Sequence, residues 1–267
     1  MKNILLLVHD DVGQEARLQA ALDVTRALEG HLECLDVAQI PVLFEDLQST
    51  SAAMMLLDDE VQREAQNRAK VEARLAGEGV SWSWSDVVGD LVEVVIERAG
   101  TADLIVLNRK LDMFSAPDMR EITGSIAIRA GKPVLAVPDS LAGFNPCGRA
   151  LIAWDGSAAA MAVLQAAVPL LKLASEVRIF HVVRGGAEGD FAEAATYLSR
   201  HDIHAEVKQA YDQQHPVAEV ISNEIARWGA DWLVMGAYGH SRLKEALFGG
   251  TTRKILTDCT VPVVLGH

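Results

Sequence analysis

Apolar residues along this chain fall into two kinds of run. Short, nearly unbroken runs sit near residues 3–8, 31–38, 80–86, 103–108 and 133–138, and again near 149–154, 176–183, 203–210, 231–235 and 261–265. Between them, apolar positions recur every three or four residues near 13–29, 57–77, 90–99 and 121–131, then near 157–173, 188–201, 215–228 and 250–258. The first kind has the length and continuity of strands covered on both faces. The second has the period of a helix that buries one stripe. Regular alternation of the two predicts parallel strands with helices on both faces, an α/β fold whose ligands bind outside the carboxyl ends of the strands.

The pattern occurs twice. Ala102-Asp103-Leu104-Ile105-Val106-Leu107 returns as Ala230-Asp231-Trp232-Leu233-Val234-Met235, and Lys132-Pro133-Val134-Leu135-Ala136-Val137 as Val261-Pro262-Val263-Val264-Leu265. Asn3 to Val8 resembles Ala150 to Trp154, and Val87 to Val95 resembles Gln213 to Ile221. A unit repeated with this regularity predicts two copies of one fold. We therefore expect two doubly wound, five-stranded parallel-sheet domains in tandem, residues 1–140 and 147–267, joined through the Gly- and Pro-bearing stretch Ser140–Pro146.

Composition narrows the function classes. The chain has 267 residues and a formal charge of −13. The charge is uneven: residues 1–142 carry 13 Lys and Arg against 24 Asp and Glu, the remainder 11 against 13. That balance argues against a nucleic-acid-binding face. Runs of about 18 apolar residues are absent, so no membrane span is expected, and the apolar start at Met1 is too short for a signal peptide. The scattered cysteines Cys34, Cys147 and Cys259 read as reduced thiols of a cytoplasmic protein, with no intrinsic metal site.

The chemistry gathers in the second copy. The strand ending at Met235 runs into Gly236 and Gly239, and Gly249-Gly250-Thr251-Thr252 opens the next helix. Glycines let main-chain N–H groups approach an anion, and a helix N-terminus attracts it. Arg242, Lys244, Arg253 and Lys254 flank this loop. A second loop, Asp155-Gly156-Ser157, follows the copy's first strand; Asp155 suits a ribose hydroxyl or, alternatively, a helix N-cap. His240 lies close to the glycines, where an exposed loop histidine is the plainer reading.

These residues carry a resemblance to the universal stress proteins, whose nucleotide-binding members have Gly-x-x-Gly-x9-Gly-[Ser/Thr] after the fourth strand. Gly236, Gly239 and Gly249 occupy the three glycine positions. The resemblance is close over 149–267 and loose over 1–138. It implies a tandem, UspA-like protein of Rossmann-like fold, in the wider group of nucleotide-binding α-hydrolase-like domains. It implies ATP or another adenine nucleotide as ligand, with Mg2+ as companion ion. Asp155 would contact ribose; Ala153, Trp154, Val182 and Met235 would border adenine and sugar. Gly236, Gly239, Gly249, Gly250, Thr251 and Thr252, with His240 nearby, would surround the phosphates. Gly250 departs from the pattern, standing where a Ser or Thr hydroxyl is usual. The resemblance also implies that the halves pack as an intramolecular pseudo-dimer, and edges such as Val261–Leu265 are candidates for that pairing or for a homodimer.

The first copy has lost the glycines. Asn108 and Leu111 replace the first two, Arg120-Glu121-Ile122-Thr123 stands where Gly249-Gly250-Thr251-Thr252 stands, and His9 takes the place of Asp155. This half is expected to be structural. His9, Asp10 and Asp11 are read as a helix cap and solvated charges in preference to a metal site. Ser49 to Leu57, rich in Met and small residues, is read as a helix start in preference to a lid or protein contact. Nucleophile–base pairs, metal-ligand spacings and a full P-loop are all missing. A nucleotide-binding stress-response protein with unidentified protein partners is therefore expected, capable at most of slow ATP hydrolysis. The alternatives are an interaction scaffold without nucleotide and an ATP-consuming enzyme.

Overall fold

The computed structural model describes residues 1–38, 50–109, 118–184, 191–237 and 250–267, with only the helical path given for 50–60. The first half runs β1 (Asn3–Val8), α1 (Gln14–Ala27), β2 (His31–Ala38), α2 (Thr50–Leu75), β3 (Ser81–Val88), α3 (Leu91–Arg98), β4 (Leu104–Asn108), α4 (Met119–Arg129) and β5 (Val134–Val137). The second runs β6 (Arg149–Ala153), α5 (Ala158–Leu171), β7 (Glu176–Val183), α6 (Ala192–Arg200), β8 (Ala205–Tyr211), α7 (Val217–Trp228), β9 (Trp232–Gly236), α8 (Gly250–Asp258) and β10 (Val263–Gly266).

Every expected strand forms, with ends within two residues or so of the apolar runs. Helix α2 starts earlier than its apolar stripe, at Thr50. The Ala, Met and Leu residues of Ala52–Leu57 are strong helix formers and extend it N-terminally, in line with the helix-start reading of that segment.

The two five-stranded units are one sheet. Strand order is β3-β2-β1-β4-β5-β10-β9-β6-β7-β8. Neighbours within each half are parallel. The joint is antiparallel, with Val263 opposite Ala136, Val264 opposite Leu135 and Leu265 opposite Val134. Val261–Leu265 therefore contributes to an interior strand, and the sheet's free edges are β3 and β8. The antiparallel joint also sends the carboxyl ends of the two halves to opposite edges of the sheet.

Burial on both faces explains the continuous apolar strands. One core layer lies under α1, α2, α5 and α6, and includes Ile4, Leu22, Leu75, Ile152, Leu164 and Leu198. The other lies under α3, α4, α7 and α8, and includes Leu5, Val95, Ile126, Ile225, Leu233 and Ile255. Adjacent residues of one strand, such as Ile4 and Leu5, feed opposite layers, as the two-residue strand period requires. Among the described residues no helix is long and apolar enough to cross a membrane.

Candidate functional site

In a doubly wound sheet the crevice opens where successive crossovers leave from opposite faces. In the second half that point lies between β6 and β9, whose helices α5 and α8 cover different faces. Asp155 and Gly236 follow or end these two strands.

The β6–α5 turn is built by three residues. Gly156 adopts φ +75°, a left-handed conformation that favours glycine. Asp155 is exposed, and its Oδ1 accepts from the Ser157 N–H at 2.9 Å. Ser157 is the N-cap of α5, its hydroxyl accepting from the Ala160 N–H at 3.1 Å. The capping role that the sequence offered Asp155 therefore falls to Ser157, two residues on, and Asp155 stays exposed before it.

Gly236 is required by close approach. A Cβ there would meet Ala160 N at 2.6 Å and the Ala159 carbonyl carbon at 2.9 Å. Both are backbone atoms, so α5 lies against the end of β9 only because position 236 has no side chain. Beyond it, Ala237 N–H donates to Gly266 O at 2.7 Å, tying the start of the glycine loop to β10.

Ala153 and Val182 are half-buried and Met235 is buried, all against the core layer under α7 and α8. Trp154 sits differently. Its ring belongs to the opposite layer and is 4 % exposed, so only its main chain reaches the strand end. There its N–H donates to Phe180 O at 2.9 Å, and its carbonyl is 2.8 Å from His181 Nδ1. Helix α8 begins at Gly250, which is exposed and has open space where a Cβ would stand. Thr251 is half-buried and Thr252 buried, which makes Thr251 the more accessible hydroxyl. Gly239, His240 and Gly249 lie outside the described residues, as do Arg242 and Lys244.

On the α7/α8 face a cavity of about 520 Å³ opens beside the first turn of α8, lined among others by Arg184, His215, Thr251 and Lys254. Sequence reading singled out Lys254 but missed Arg184 and His215, which belong to other loops. The described residues thus fit an adenine nucleotide: a half-buried apolar floor, an exposed carboxylate at a strand end, and a helix N-terminus with bare backbone.

The corresponding place in the first half is filled by the protein itself. Arg17 is wholly buried. Its Nε donates to Leu7 O at 2.9 Å, its Nη2 to His9 O at 3.2 Å, and its Nη1 to both Asp11 oxygens at 3.1 and 3.0 Å and to Asn108 Oδ1. Burial lowers the guanidinium's proton affinity, and Asp11 partly restores it. Asn108, at the position of Gly236, also donates to Gly13 O and Val137 O at 3.3 and 3.4 Å. In the second half the residue at the position of Arg17 is Val163, eight residues beyond Asp155 as Arg17 is beyond His9.

Asp11 is consequently an ion-pair partner with 8 % of its side chain exposed, not a solvated charge. Gly13 is the N-cap of α1 and lacks a side-chain cap bond. His9 Nδ1 lies 2.7 Å from Glu64 Oε1 on α2. Among the described residues no three His, Cys, Asp or Glu groups gather to hold a metal.

Burial pushes the Glu64 carboxyl up, but the His9 contact, the Asp10 N–H and Asn67 outweigh it and leave the pKa lowered. A lowered carboxyl contributes stability that is complete above the unfolded value, about 4.3, and disappears as pH falls through the folded value. The loss of denaturation midpoint between pH 6 and pH 3 should therefore be smaller in Glu64→Gln than in the parent. Equal losses would remove Glu64 from the acid response.

Comparison with known proteins places the second half. Residues 147–266 match the model of the Universal stress protein family. The universal stress protein Slr1230 of Synechocystis is 26% identical over 191 residues, covering 66% of this chain. The chain spans 62% of the length of that relative. A universal stress protein from Archaeoglobus fulgidus has a similar structure, with a TM-score of 0.76 at 17% identity over 99% of this chain and 95% of that one. A functionally unknown protein from Pseudomonas aeruginosa PAO1 superposes with a TM-score of 0.58 at 19% identity, over 100% and 92%. These structural likenesses span both halves and establish the fold.

Proposed function

We propose that the chain is a tandem universal stress protein whose second half binds one adenine nucleotide, ATP foremost, and whose first half is structural. The protein acts as a nucleotide-dependent binding protein, with no dedicated catalytic machinery. The observation that carries this reading is the convergence, at one sheet edge, of exposed Asp155, the side-chain-free end of β9 at Gly236 and the N-terminus of α8 at Gly250. A carboxylate accepts from vicinal ribose hydroxyls, and backbone N–H groups at a helix start receive phosphate. Ala153, Val182 and Met235 supply an apolar surface on the face where the base would lie. Mg2+ would arrive with the phosphates as their counter-ion.

Asp155→Ala tests the ribose contact. One hydrogen bond to a charged group is worth about 1.5–3 kcal/mol, so the substitution should weaken ATP binding by roughly 10- to 100-fold. Ser157 remains to cap α5, so the melting temperature should change little. Unchanged ATP affinity in a folded Asp155→Ala protein would remove this residue from the site. Adenine nucleotide released on denaturing the purified protein, detected by anion-exchange chromatography, would support the proposal independently.

A further inference from the structure

The 520 Å³ cavity beside α8 has a lining unusual for so acidic a chain. Arg184, His215 and Lys254 contribute three basic groups, Gln214 and Thr251 are neutral, and no carboxylate lines it among the described residues. It lies between the N-termini of two helices, since Val217 and Ala218 open α7 as Gly250 and Thr251 open α8. Aligned helix N-termini add partial positive charge. Pro216, the N-cap of α7, makes no side-chain cap bond.

The first half treats the same helices differently. Asp90 caps α3, accepting from Glu93 N–H at 3.0 Å, and Asp118 caps α4, accepting from Arg120 N–H at 3.0 Å. Each of those N-termini is closed by its own carboxylate, whereas α7 is left open to the cavity.

We propose that this cavity takes the outer phosphates of a nucleotide's phosphate chain, so that Arg184, His215 and Lys254 make the second half select a triphosphate over a monophosphate. This rests on the nucleotide reading above and deepens it. Arg184 is already oriented, its Nη2 donating to His215 O, while its Nε is buried and has no hydrogen-bond partner among the described residues. The acids nearby act on the basic groups from outside the lining. Asp212 Oδ2 lies 2.9 Å from His215 Nδ1, and Lys254 Nζ donates to Asp258 Oδ2 at 2.9 Å. Glu219, in the first turn of α7, also favours the charged forms of His215 and Lys254 through its negative charge. The Asp212 contact raises the proton affinity of His215, which favours its cationic form. The subsite also supplies donors at the site whose usual Ser or Thr is replaced by Gly250.

Titration calorimetry with ATP, AMP and inorganic tripolyphosphate tests the proposal. ATP should bind at least roughly tenfold tighter than AMP, and Arg184→Gln or Lys254→Gln should each reduce ATP affinity by about five- to tenfold while leaving AMP affinity unchanged. Lys254→Arg should retain the preference, and thermal melts should show that the variants are folded. Equal affinity for ATP and AMP in the parent, or equal losses for both in the variants, would overturn the subsite while leaving the nucleotide reading intact. Tripolyphosphate binding with the same Arg184 and Lys254 dependence, in a protein that binds no nucleotide, would support the subsite and contradict the nucleotide reading. Failure of all three ligands to bind would overturn both.

Discussion

Arg17→Met should lower the stability of the protein by about 3–5 kcal/mol, the range for breaking a buried ion pair by removing one partner. The guanidinium is wholly buried and serves Leu7 O, His9 O, Asp11 and Asn108 together. Methionine matches its stem but donates nothing, so Asp11 keeps a nearly buried charge and the amide oxygen of Asn108 loses the guanidinium donor. Denaturation by urea, followed by circular dichroism, reads the loss directly. The double substitution Arg17→Met with Asp11→Asn should recover part of it, because no buried charge is then left uncompensated. A single variant as stable as the parent would show that the polar plug does not hold the first half together. Nucleotide binding by the second half should survive wherever the variant remains folded, because the two carboxyl edges lie on opposite sides of the sheet.

Gly236→Val should act on the other half. Its Cβ would sit 2.6 Å from Ala160 N and 2.9 Å from the Ala159 carbonyl carbon, and neither backbone atom can rotate away. Relief requires α5 to move off β9, at an overpacking cost of about 1–3 kcal/mol. The same movement displaces the turn that holds Asp155, which the proposed function puts against the ribose. ATP affinity should fall by more than about 100-fold, equivalent to losing two hydrogen bonds to charged groups. Gly236→Ala should show a milder form of both effects. A Gly236→Val protein that melts and binds ATP like its parent would contradict the close approach.

The repeat and the strand positions were legible because burial on both faces leaves a continuous apolar record in the chain. Gly236 stood out in the sequence as an anion-cradling glycine, and the structure adds a different requirement for it, the close approach of α5. Other features depend on residues distant in sequence. Arg17, Glu64 and Asn67 read singly as ordinary polar positions and Asn108 only as a lost glycine, and only the fold pairs Arg17 with Asn108 and Glu64 with Asn67. Trp154 shows the limit of position without direction: it stands at the expected strand end, yet its ring turns into the opposite core layer. Val261–Leu265 resembles an exposed edge until its antiparallel partner β5 is known. The cavity draws on loops after β7 and β8 and on α8, so its basic lining has no contiguous signature.

Central to this account is a chain built from two copies that keeps one nucleotide site. In the second half Gly236 carries no side chain and Asp155 is exposed, whereas Arg17, Asp11 and Asn108 fill the counterpart place in the first. Calorimetric titration of the intact, nucleotide-stripped protein with ATP measures this directly through its stoichiometry. The account predicts one ATP bound per chain, whereas two per chain would mean that the first half retains a site, and none would contradict nucleotide binding altogether.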